Sequence, residues 1–380
     1  MARATENESK KIRYAVVGLG NIAQVAVLPA FANAAENSEL VALVSGSREK
    51  LQVLGERYGI AERGGYDDLE AILERARVDA VYIALPNTMH REFTERAARA
   101  GAHVLCEKPL AMTEEDCAAM IQATRLAGVK LMTAYRLHFE EANLGAIEII
   151  RSGALGQVRA FSSSFSHTVR PGDIRTRREL GGGALFDLGI YCVNAARYLF
   201  REEPIEVFGT CQQFDEERAQ GVDESTSATL RFPSGAVAQF TASQGLALAA
   251  WYHVTGTKGD LRVEHGYFFP GPLKHQLTIG GKTTEQTFEK RDQFAATLVY
   301  FSRCILEDTE PVPSGVEGLA DVRVMQAILR SAASGKAEAL PPFDRERRPD
   351  LSLRIDRPAI ESPAPVLASP PARVDRAAVQ

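Results

Sequence analysis

The sequence predicts an α/β protein with two domains: a doubly wound parallel sheet at the N-terminus, followed by an α+β domain with a large, mostly antiparallel sheet. Three observations lead to this fold. Short apolar runs alternate with helix-forming segments over about the first 135 residues, a glycine-rich turn follows the first run, and period-2 alternation appears after about residue 150. The 380 residues suffice for two substantial cores.

The parallel sheet is predicted from continuous apolar runs, which are typical of strands buried on both faces. These runs are residues 14–17, 40–44, 80–85, 103–106 and 130–134. Helices are predicted between them. The helix over 113–127 begins with Thr113 as N-cap and carries Glu114 and Glu115 in its first turn.

The second domain is predicted from alternating strands separated by Gly and Pro turns. The expected strands lie near 157–166, 205–213, 225–232, 235–244, 251–256, 260–264, 275–280 and 284–288, and the expected helices near 183–199, 292–307 and 315–333. We therefore expect a polar N-terminus over 1–10, a nucleotide-binding domain over 11–135, an α+β substrate and oligomerisation domain over 136–336, and a Pro-rich tail over 337–380.

The tail is rich in Pro, Arg, Asp, Ser and Ala from Pro341 onwards. Such a composition buries little apolar surface, which predicts a surface tail. An extended arm that lies over a partner subunit is the alternative.

Composition excludes several classes of protein. Lys and Arg number 44 against 49 Asp and Glu, a net charge of −5, which gives no electrostatic reason to expect nucleic acid or an anionic membrane. The five cysteines are scattered without metal-ligand spacing, so we expect no metal site and a reducing compartment. The first eleven residues lack the apolar segment of a signal peptide, and no run is long enough to span a membrane. We expect a cytoplasmic protein.

The turn Gly18-Leu19-Gly20-Asn21-Ile22-Ala23 follows a predicted strand and precedes a predicted helix. In this context a G-x-G-x-x-G/A pattern is typical of dinucleotide binding by a Rossmann domain. Gly18 permits the tight turn, Gly20 lets the backbone approach a pyrophosphate, and the helix N-terminus offers N–H groups to the phosphates. An ordinary strand-to-helix turn is the alternative.

The end of the second strand indicates which dinucleotide binds. NAD sites have an acidic residue there that holds the ribose hydroxyls, whereas this chain has Ser45-Gly46-Ser47-Arg48 and then Lys50. Hydroxyls and cations can bind a 2′-phosphate that a carboxylate would repel. We predict NADP; solvated charges at a helix start are the alternative for Arg48 and Lys50.

Glu107-Lys108-Pro109-Leu110-Ala111 follows a predicted parallel strand, at the sheet edge where open α/β sheets bind ligands. A lysine beside a nicotinamide could hydrogen-bond a substrate oxygen and exchange a proton with it. Pro109 would restrict the backbone, and a cis peptide bond is one way to do so. A surface lysine in a loop is the alternative.

A second group of candidate residues follows three glycines at 181–183, which let the backbone approach a ligand before a helix begins. Asp187 and Tyr191 are four residues apart and share one face of that helix. A free tyrosine ionises only near pH ~10, so a nearby ammonium from Lys108 would help the phenol to exchange a proton. An exposed Asp187 and a half-buried Tyr191 are the alternative.

These three motifs occur in the order found in the GFO/IDH/MocA oxidoreductase family, which the chain resembles over roughly residues 10 to 335. The resemblance is strongest to the glucose–fructose oxidoreductase branch and its NADP-dependent sugar dehydrogenase relatives. It also includes segments 44–46, 80–87, 135–138, 177–180 and 198–207.

The resemblance implies roles for individual residues. Lys108 would contact nicotinamide and substrate, Asp187 would be the substrate-side carboxylate, and Tyr191 would be the acid/base. The expected catalytic residues are thus Lys108, Tyr191 and Asp187. The expected cofactor-binding residues are Gly18, Gly20, Asn21, Ile22, Ser45, Gly46, Ser47, Arg48, Lys50, Leu85, Pro86, Asn87, His90, Glu107, Lys108 and Arg136.

The sequence therefore predicts an NADP-dependent oxidoreductase that transfers hydride to or from an aldose or related sugar, assembled as a homodimer or homotetramer through its second sheet. Three alternatives stay open: a sugar–sugar oxidoreductase of the glucose–fructose type that retains its NADP, a trans-diol dehydrogenase, and a non-catalytic NADP-binding sensor. The intact set of Lys108, Asp187 and Tyr191 argues against the sensor.

Overall fold

A computed structural model describes residues 10–217, 219–345 and 347–371 of the protein. Its first sheet has six parallel strands in the order β3-β2-β1-β4-β5-β6. They are β1 (Ile12–Val17), β2 (Ser38–Val44), β3 (Glu62–Gly64), β4 (Ala80–Ile83), β5 (His103–Cys106) and β6 (Leu131–Thr133). The predicted doubly wound parallel sheet is confirmed, because its apolar runs are buried beneath helices on both faces.

Helices connect these strands: α1 (Leu28–Asn33), α2 (Arg48–Tyr58), α3 (Leu69–Arg75), α4 (His90–Arg99) and α5 (Glu114–Leu126). The predicted cap of α5 is present, since the hydroxyl of Thr113 accepts a hydrogen bond from the N–H of Asp116 at 3.1 Å. The sequence analysis missed β3, whose three residues include no apolar side chain that would mark a strand.

The second sheet has nine strands in the described part of the chain, in the order β14-β13-β12-β11-β7-β10-β9-β8-β15. They are β7 (Val158–Ser166), β8 (Glu206–Gln212), β9 (Ser225–Arg231), β10 (Val237–Ser243), β11 (Ala249–Gly256), β12 (Gly259–Glu264), β13 (Leu273–Ile279), β14 (Lys282–Phe288) and β15 (Glu338–Ala339). Strands β7 and β10 run parallel and the other neighbours run antiparallel, as predicted.

The helices of the second half are α6 (Glu141–Arg151), α7 (Ile190–Phe200), α8 (Gln293–Leu306) and α9 (Gly315–Ser334). Helix α6 was not predicted; the carboxylate of Glu140 caps it by accepting from the N–H groups of Ala142 and Asn143. Helix α8 packs back on the first sheet, where the hydroxyl of Ser302 meets those of Tyr14 and Ser38 at 2.8 and 2.7 Å.

Residues 341–371, which we call the C-terminal strap, run back along their own chain. Arg345 pairs with Glu317 on α9, and Arg357 pairs with Glu36 at 2.5 Å, near the end of α1. The strap thus lies on the surface of its own subunit. Contact with a partner subunit stays a prediction, and residues 372–380 of the predicted tail lie outside the described residues.

In the part of the chain that the structure describes, no helix is long and apolar enough to cross a membrane.

Candidate active site

The glycine turn forms an open cradle at the carboxyl edge of the first sheet. Gly18 has φ +95°, and a Cβ on it would lie 2.4 Å from the carbonyl oxygen of Ala84, so a side chain is excluded there by the protein itself. A Cβ on Gly20 would meet no protein atom within 4 Å. Asn21 and Ile22 follow, half-buried, before a π-helical turn (Ala23–Val27) leads into α1. The protein itself therefore leaves room for a side chain at Gly20.

The end of β2 places two hydroxyls and two cations together. Ser45 is buried and accepts a hydrogen bond from the N–H of Ser47 at 3.2 Å, while the hydroxyl of Ser47 caps α2 by accepting from the N–H of Lys50 at 3.3 Å. Arg48 is exposed, and burial lowers the pKa of Lys50. Gly46 faces the ring of Tyr66.

The loop after β4 connects the two halves of the site. Leu85 is buried, Pro86 follows it, and the side-chain amide of Asn87 donates to the carbonyl of Gly181 at 2.8 Å. This bond joins the nucleotide side to the segment that precedes α7.

His90 does not have the cofactor-binding position expected from the sequence. Its side chain is fully buried, with Nδ1 2.9 Å from the carbonyl oxygen of Pro109 and Nε2 3.0 Å from that of Leu85. Burial lowers the pKa of His90. Because both ring nitrogens face backbone carbonyls, His90 joins the loops after β4 and β5 and has no polar atom left for a nucleotide.

Glu107 and Lys108 directly follow β5, and their side chains point in different directions. The carboxylate of Glu107 accepts from the hydroxyl of Tyr82 at 2.7 Å, and its burial raises its pKa. This hydrogen bond thus anchors the loop after β5 to the neighbouring strand β4. Lys108 precedes a cis peptide bond to Pro109 and extends its amine to α7, where Nζ donates to the carbonyl of Asp187 at 2.8 Å.

Asp187 lies among cations and amides in the π-helical turn (Leu185–Gly189) that begins α7. Its carboxylate is 3.3 Å from Nε of Arg175 and 3.7 Å from Nζ of Lys108, and it accepts from the amide of Gln244 at 3.2 Å. Burial alone would raise the pKa of Asp187, but Arg175 and Lys108 outweigh burial and hold the pKa below its usual value.

Tyr191 lies beside two cations, Lys108 in the loop after β5 and Arg136 in the segment after β6. Nζ of Lys108 lies 4.7 Å from the centre of its ring, and Nη2 of Arg136 donates to its hydroxyl at 3.2 Å. Together with Tyr135 and Asn194, these three residues line a small cleft. The structure therefore brings Lys108, Asp187 and Tyr191 together from segments that the sequence separates.

The glycines at 181–183 serve a different purpose from the close ligand approach that the sequence analysis expected. A Cβ on Gly182 would lie 2.3 Å from the carbonyl oxygen of Arg175, and one on Gly183 would lie 2.2 Å from the carboxylate of Asp223. The chain's own atoms fill the space beside these glycines, so their small size lets this segment pack on itself.

Among the site residues that escaped the sequence analysis are Arg175, Gln244 and Gln293. Arg175 and Gln244 hold the carboxylate of Asp187, and Gln293 holds Arg136. Arg175 could have been noticed as a cation six residues before the glycines. Gln244 and Gln293 carry no such signal, because each is a single glutamine at the end of a strand or the start of a helix.

Among the residues that the structure describes, no group of three or more His, Cys, Asp or Glu side chains is arranged to hold a metal ion.

Comparison with known proteins finds relatives that are sugar oxidoreductases. A family model described as an oxidoreductase family with an NAD-binding Rossmann fold matches residues 12–135, and a model for the GFO/IDH/MocA C-terminal domain matches residues 144–262. The chain is 33% identical over 336 residues to a D-xylose 1-dehydrogenase [NADP(+)] of Haloarcula marismortui, an alignment that covers 87% of this chain and 92% of that protein.

Two solved structures of related oxidoreductases resemble this chain in both sequence and fold. An aldose–aldose oxidoreductase from Caulobacter crescentus, complexed with glycerol, is 42% identical with a TM-score of 0.83, covering 87% of this chain and 100% of that one. A 3-ketoreductase from Actinomadura kijaniata, in complex with NADP and TDP-benzene, is 28% identical with a TM-score of 0.78, covering 85% and 98%.

Proposed function

The chain belongs to the GFO/IDH/MocA oxidoreductase family, and on this premise we propose that it is an NADP-dependent oxidoreductase that transfers hydride between nicotinamide and an aldose or related sugar. One observation carries the proposal. The amine of Lys108, the carboxylate of Asp187 and the phenol of Tyr191 converge at the same sheet edge as the glycine turn. The names of the relatives from Haloarcula marismortui and Caulobacter crescentus support an aldose substrate.

Each of the three residues has a distinct role in this proposal. Bound NADP would supply the hydride acceptor. Tyr191 accepts the proton of the substrate hydroxyl during oxidation and returns it during reduction, and Lys108 orients that oxygen. Asp187 uses the carboxylate lone pairs that Arg175 and Gln244 leave free to hold a neighbouring hydroxyl.

The roles are tested by replacing the phenol and the amine. Tyr191→Phe and Lys108→Met are each expected to lower kcat by about 10²- to 10⁴-fold, the usual contribution of general acid–base groups. NADP affinity, measured by fluorescence titration, should stay close to that of the wild type. Tyr58→Phe, which removes a phenol from α2, is the matched control and should keep full activity. Wild-type turnover of an aldose panel by either active-site variant would contradict these roles.

NADP is the proposed cofactor because the end of β2 offers hydroxyls and cations and no carboxylate. Ser45, Ser47, Arg48 and Lys50 would surround the 2′-phosphate, and the open face of Gly20 would receive the pyrophosphate.

A second candidate function is a sugar–sugar oxidoreductase that keeps its NADP between half-reactions, and the C-terminal strap favours it. The backbone of Val366 exchanges two hydrogen bonds with the side-chain amide of Gln24, at 2.7 and 3.0 Å. Gln24 directly follows the glycine turn. Five residues further on, the carbonyl of Pro371 accepts from the N–H of Arg170, in the loop before the residues that hold Asp187. The strap thus contacts the segment after the glycine turn and the loop before Arg175, and we propose that these two crevice contacts lie on the walls of the cofactor site.

Two truncations test the second candidate. Removing residues 364–380 deletes both crevice contacts but keeps the pairs that Arg345 and Arg348 form with α9 and with Glu203. Removing only 372–380 is the matched control. If the protein retains NADP, the full chain and the control should purify with bound nucleotide and turn over two sugars without added NADP. The longer truncation should lose the nucleotide on gel filtration. A full chain that emerges free of nucleotide would contradict retention.

We also propose a cytoplasmic location and a homodimer or homotetramer formed through the second sheet. All five cysteines are thiols, and four of them are buried, which suits a reducing compartment. The sheet exposes Phe208 and Ile279 on strands β8 and β13. Light scattering of the purified protein tests the assembly, and a monomer would contradict it.

A further inference from the structure

We propose that Arg136 is a catalytic residue whose guanidinium stabilises the ionised phenol of Tyr191, and that Gln293 is the residue that positions it. The proposal rests on the proton-exchanging role of Tyr191 in the proposed function. It gives Arg136 a task other than the cofactor contact expected from the sequence.

The geometry of Arg136 leaves its guanidinium little freedom. The side chain is 6% exposed, and Nη2 donates to the Tyr191 hydroxyl at 3.2 Å and to the carbonyl of Tyr267 at 2.6 Å. Nη1 donates to Oε1 of Gln293, whose own amide nitrogen donates to the carbonyl of Phe268 at 3.1 Å. Gln293 is the first residue of α8, so a helix start holds the guanidinium against the phenol.

The charge on Arg136 is available to the phenol. All the hydrogen-bond partners that Arg136 has within the described part of the chain are uncharged: a side-chain amide, a backbone carbonyl and a phenol. Arg136 also lies close enough to the buried carboxyl of Glu107 to counteract the rise of that group's pKa, although none of the hydrogen bonds above goes to it. In a buried setting a cation interacts strongly with a negative charge that forms within hydrogen-bonding distance. The ionised oxygen of Tyr191 would be such a charge.

Lys108 is placed differently. Its amine donates to the carbonyl of Asp187 at 2.8 Å and pairs with the carboxylate of the same residue at 3.7 Å, while its approach to Tyr191 is over the ring, 4.7 Å from the centre. The positive charge of Lys108 is therefore shared with Asp187. Arg136, by contrast, donates directly to the oxygen that must gain and lose the proton.

The proposed oxidation of the sugar is balanced in atoms and electrons. When the sugar is oxidised, its C–H and O–H bonds break and a C=O bond forms. The hydride carries the electron pair to the nicotinamide of NADP⁺, and the proton goes to the ionised oxygen of Tyr191. Arg136 gains and loses no proton in this cycle; it lowers the energy of the state in which the Tyr191 oxygen is negative.

The first test compares Arg136→Gln with the wild type across pH. At neutral pH kcat for aldose oxidation should fall about 10- to 100-fold, the usual effect of losing a hydrogen bond to a charged group. The rise of kcat with pH should move by about one unit or more towards alkaline pH, because an opposite charge within hydrogen-bonding distance favours ionisation. An unchanged pH profile, or a loss confined to NADP affinity, would overturn the proposal.

A spectroscopic titration separates this proposal from the proposed function. The ultraviolet difference between wild type and Tyr191→Phe follows ionisation of this one tyrosine in the purified protein without any turnover. The corresponding difference in the Arg136→Gln background should ionise at higher pH. If Tyr191→Phe stays active but the spectral shift occurs, the acid/base role fails and the contact between Arg136 and Tyr191 stands. If Tyr191→Phe is inactive and the spectral shift is absent, the role of Arg136 fails alone.

Replacing Gln293 tests the proposal even if the Arg136→Gln protein does not fold. Gln293→Leu leaves the arginine in place but removes its support, and should give a smaller alkaline shift in the same direction. Gln326→Leu is the matched control, because Gln326 also donates to a backbone carbonyl, that of Met112, but has no contact with Arg136 or Tyr191. In the Tyr191→Phe background Arg136→Gln should cause little further loss of kcat, whereas an additive loss would overturn the proposal.

Discussion

At the scale of single residues, ionisation narrows the choice of proton donor. The pKa of Asp187 lies below its usual value because Arg175 and Lys108 outweigh its burial, so its carboxylate accepts hydrogen bonds but has no proton to give near neutral pH. His90 and His138 are both buried with lowered pKa values and do not open to the cleft. Tyr191 lines the cleft, with Arg136 donating to its oxygen and the amine of Lys108 over its ring.

We propose that single side chains also decide the choice of dinucleotide. Arg48→Gln should weaken NADP binding by about tenfold or more while leaving NAD binding unchanged, because one charge-assisted hydrogen bond to phosphate contributes about 1.5–3 kcal/mol. Isothermal titration with both nucleotides measures the effect. Arg75→Gln, at the exposed end of α3, is the control. Equal losses for NADP and NAD would place Arg48 outside the 2′-phosphate site.

At the scale of elements, the turn between β1 and α1 combines two glycines with different constraints. Gly18 is constrained by the protein, since it has φ +95° and packs on the backbone of Ala84. Gly20 faces open space. The fold thus requires a glycine at position 18, whereas a requirement for glycine at position 20 follows only from the pyrophosphate contact that we propose.

A pair of alanine substitutions tests this separation. Gly20→Ala should keep the unfolding temperature of the wild type but weaken NADP binding by about tenfold or more, because its methyl group would occupy the space for the pyrophosphate. Gly18→Ala should instead lower the free energy of unfolding by about 2 kcal/mol or more through backbone strain and overlap. Thermal unfolding without nucleotide, with nucleotide titration, distinguishes the two. A destabilised Gly20→Ala protein would contradict the assignment.

At the scale of the whole molecule, buried charges join the second domain to the strap. Arg197 on α7 is 1% exposed and pairs with Glu203 at 2.6 Å and with Glu317 on α9 at 2.8 Å. Arg345 of the strap binds the same Glu317. Removing one member would leave the others buried without compensation, which is costly. The second domain and the strap therefore depend on each other.

Buried histidines make the stability of the protein depend on pH. Burial lowers the pKa of His138 and of His275 from 6.5 to about 4. As the pH falls from 6.5 towards 4, the unfolded chain takes up protons at these sites and the folded chain does not, so stability is lost over this window. At pH 5 the loss is about 2 kcal/mol for each site.

Replacing one of these histidines tests whether the protein loses stability as the pH falls because of a buried neutral imidazole. His138→Gln should lose less stability than the wild type between pH 7 and pH 5, as measured by urea unfolding at both pH values. His253→Gln, which removes a partly exposed histidine on β11 that pairs with Asp260, should not lessen the loss of stability at acid pH. A His138→Gln protein with the full acid dependence of the wild type would contradict a neutral buried imidazole at this position.

The sequence alone determined the two sheets, most of their strands and the three motifs, because these depend on local patterns: runs of apolar residues, a period of two, and glycines at fixed spacing. It placed Lys108, Asp187 and Tyr191 as candidates for one site. It did not give Arg136 its place on the phenol, its support from Gln293, the path of the strap, or the burial of His90. Arg136 is 55 residues from Tyr191 and 157 from Gln293. Only the tertiary structure decides such contacts, because they depend on how separate elements pack in space and leave no periodic trace in the chain.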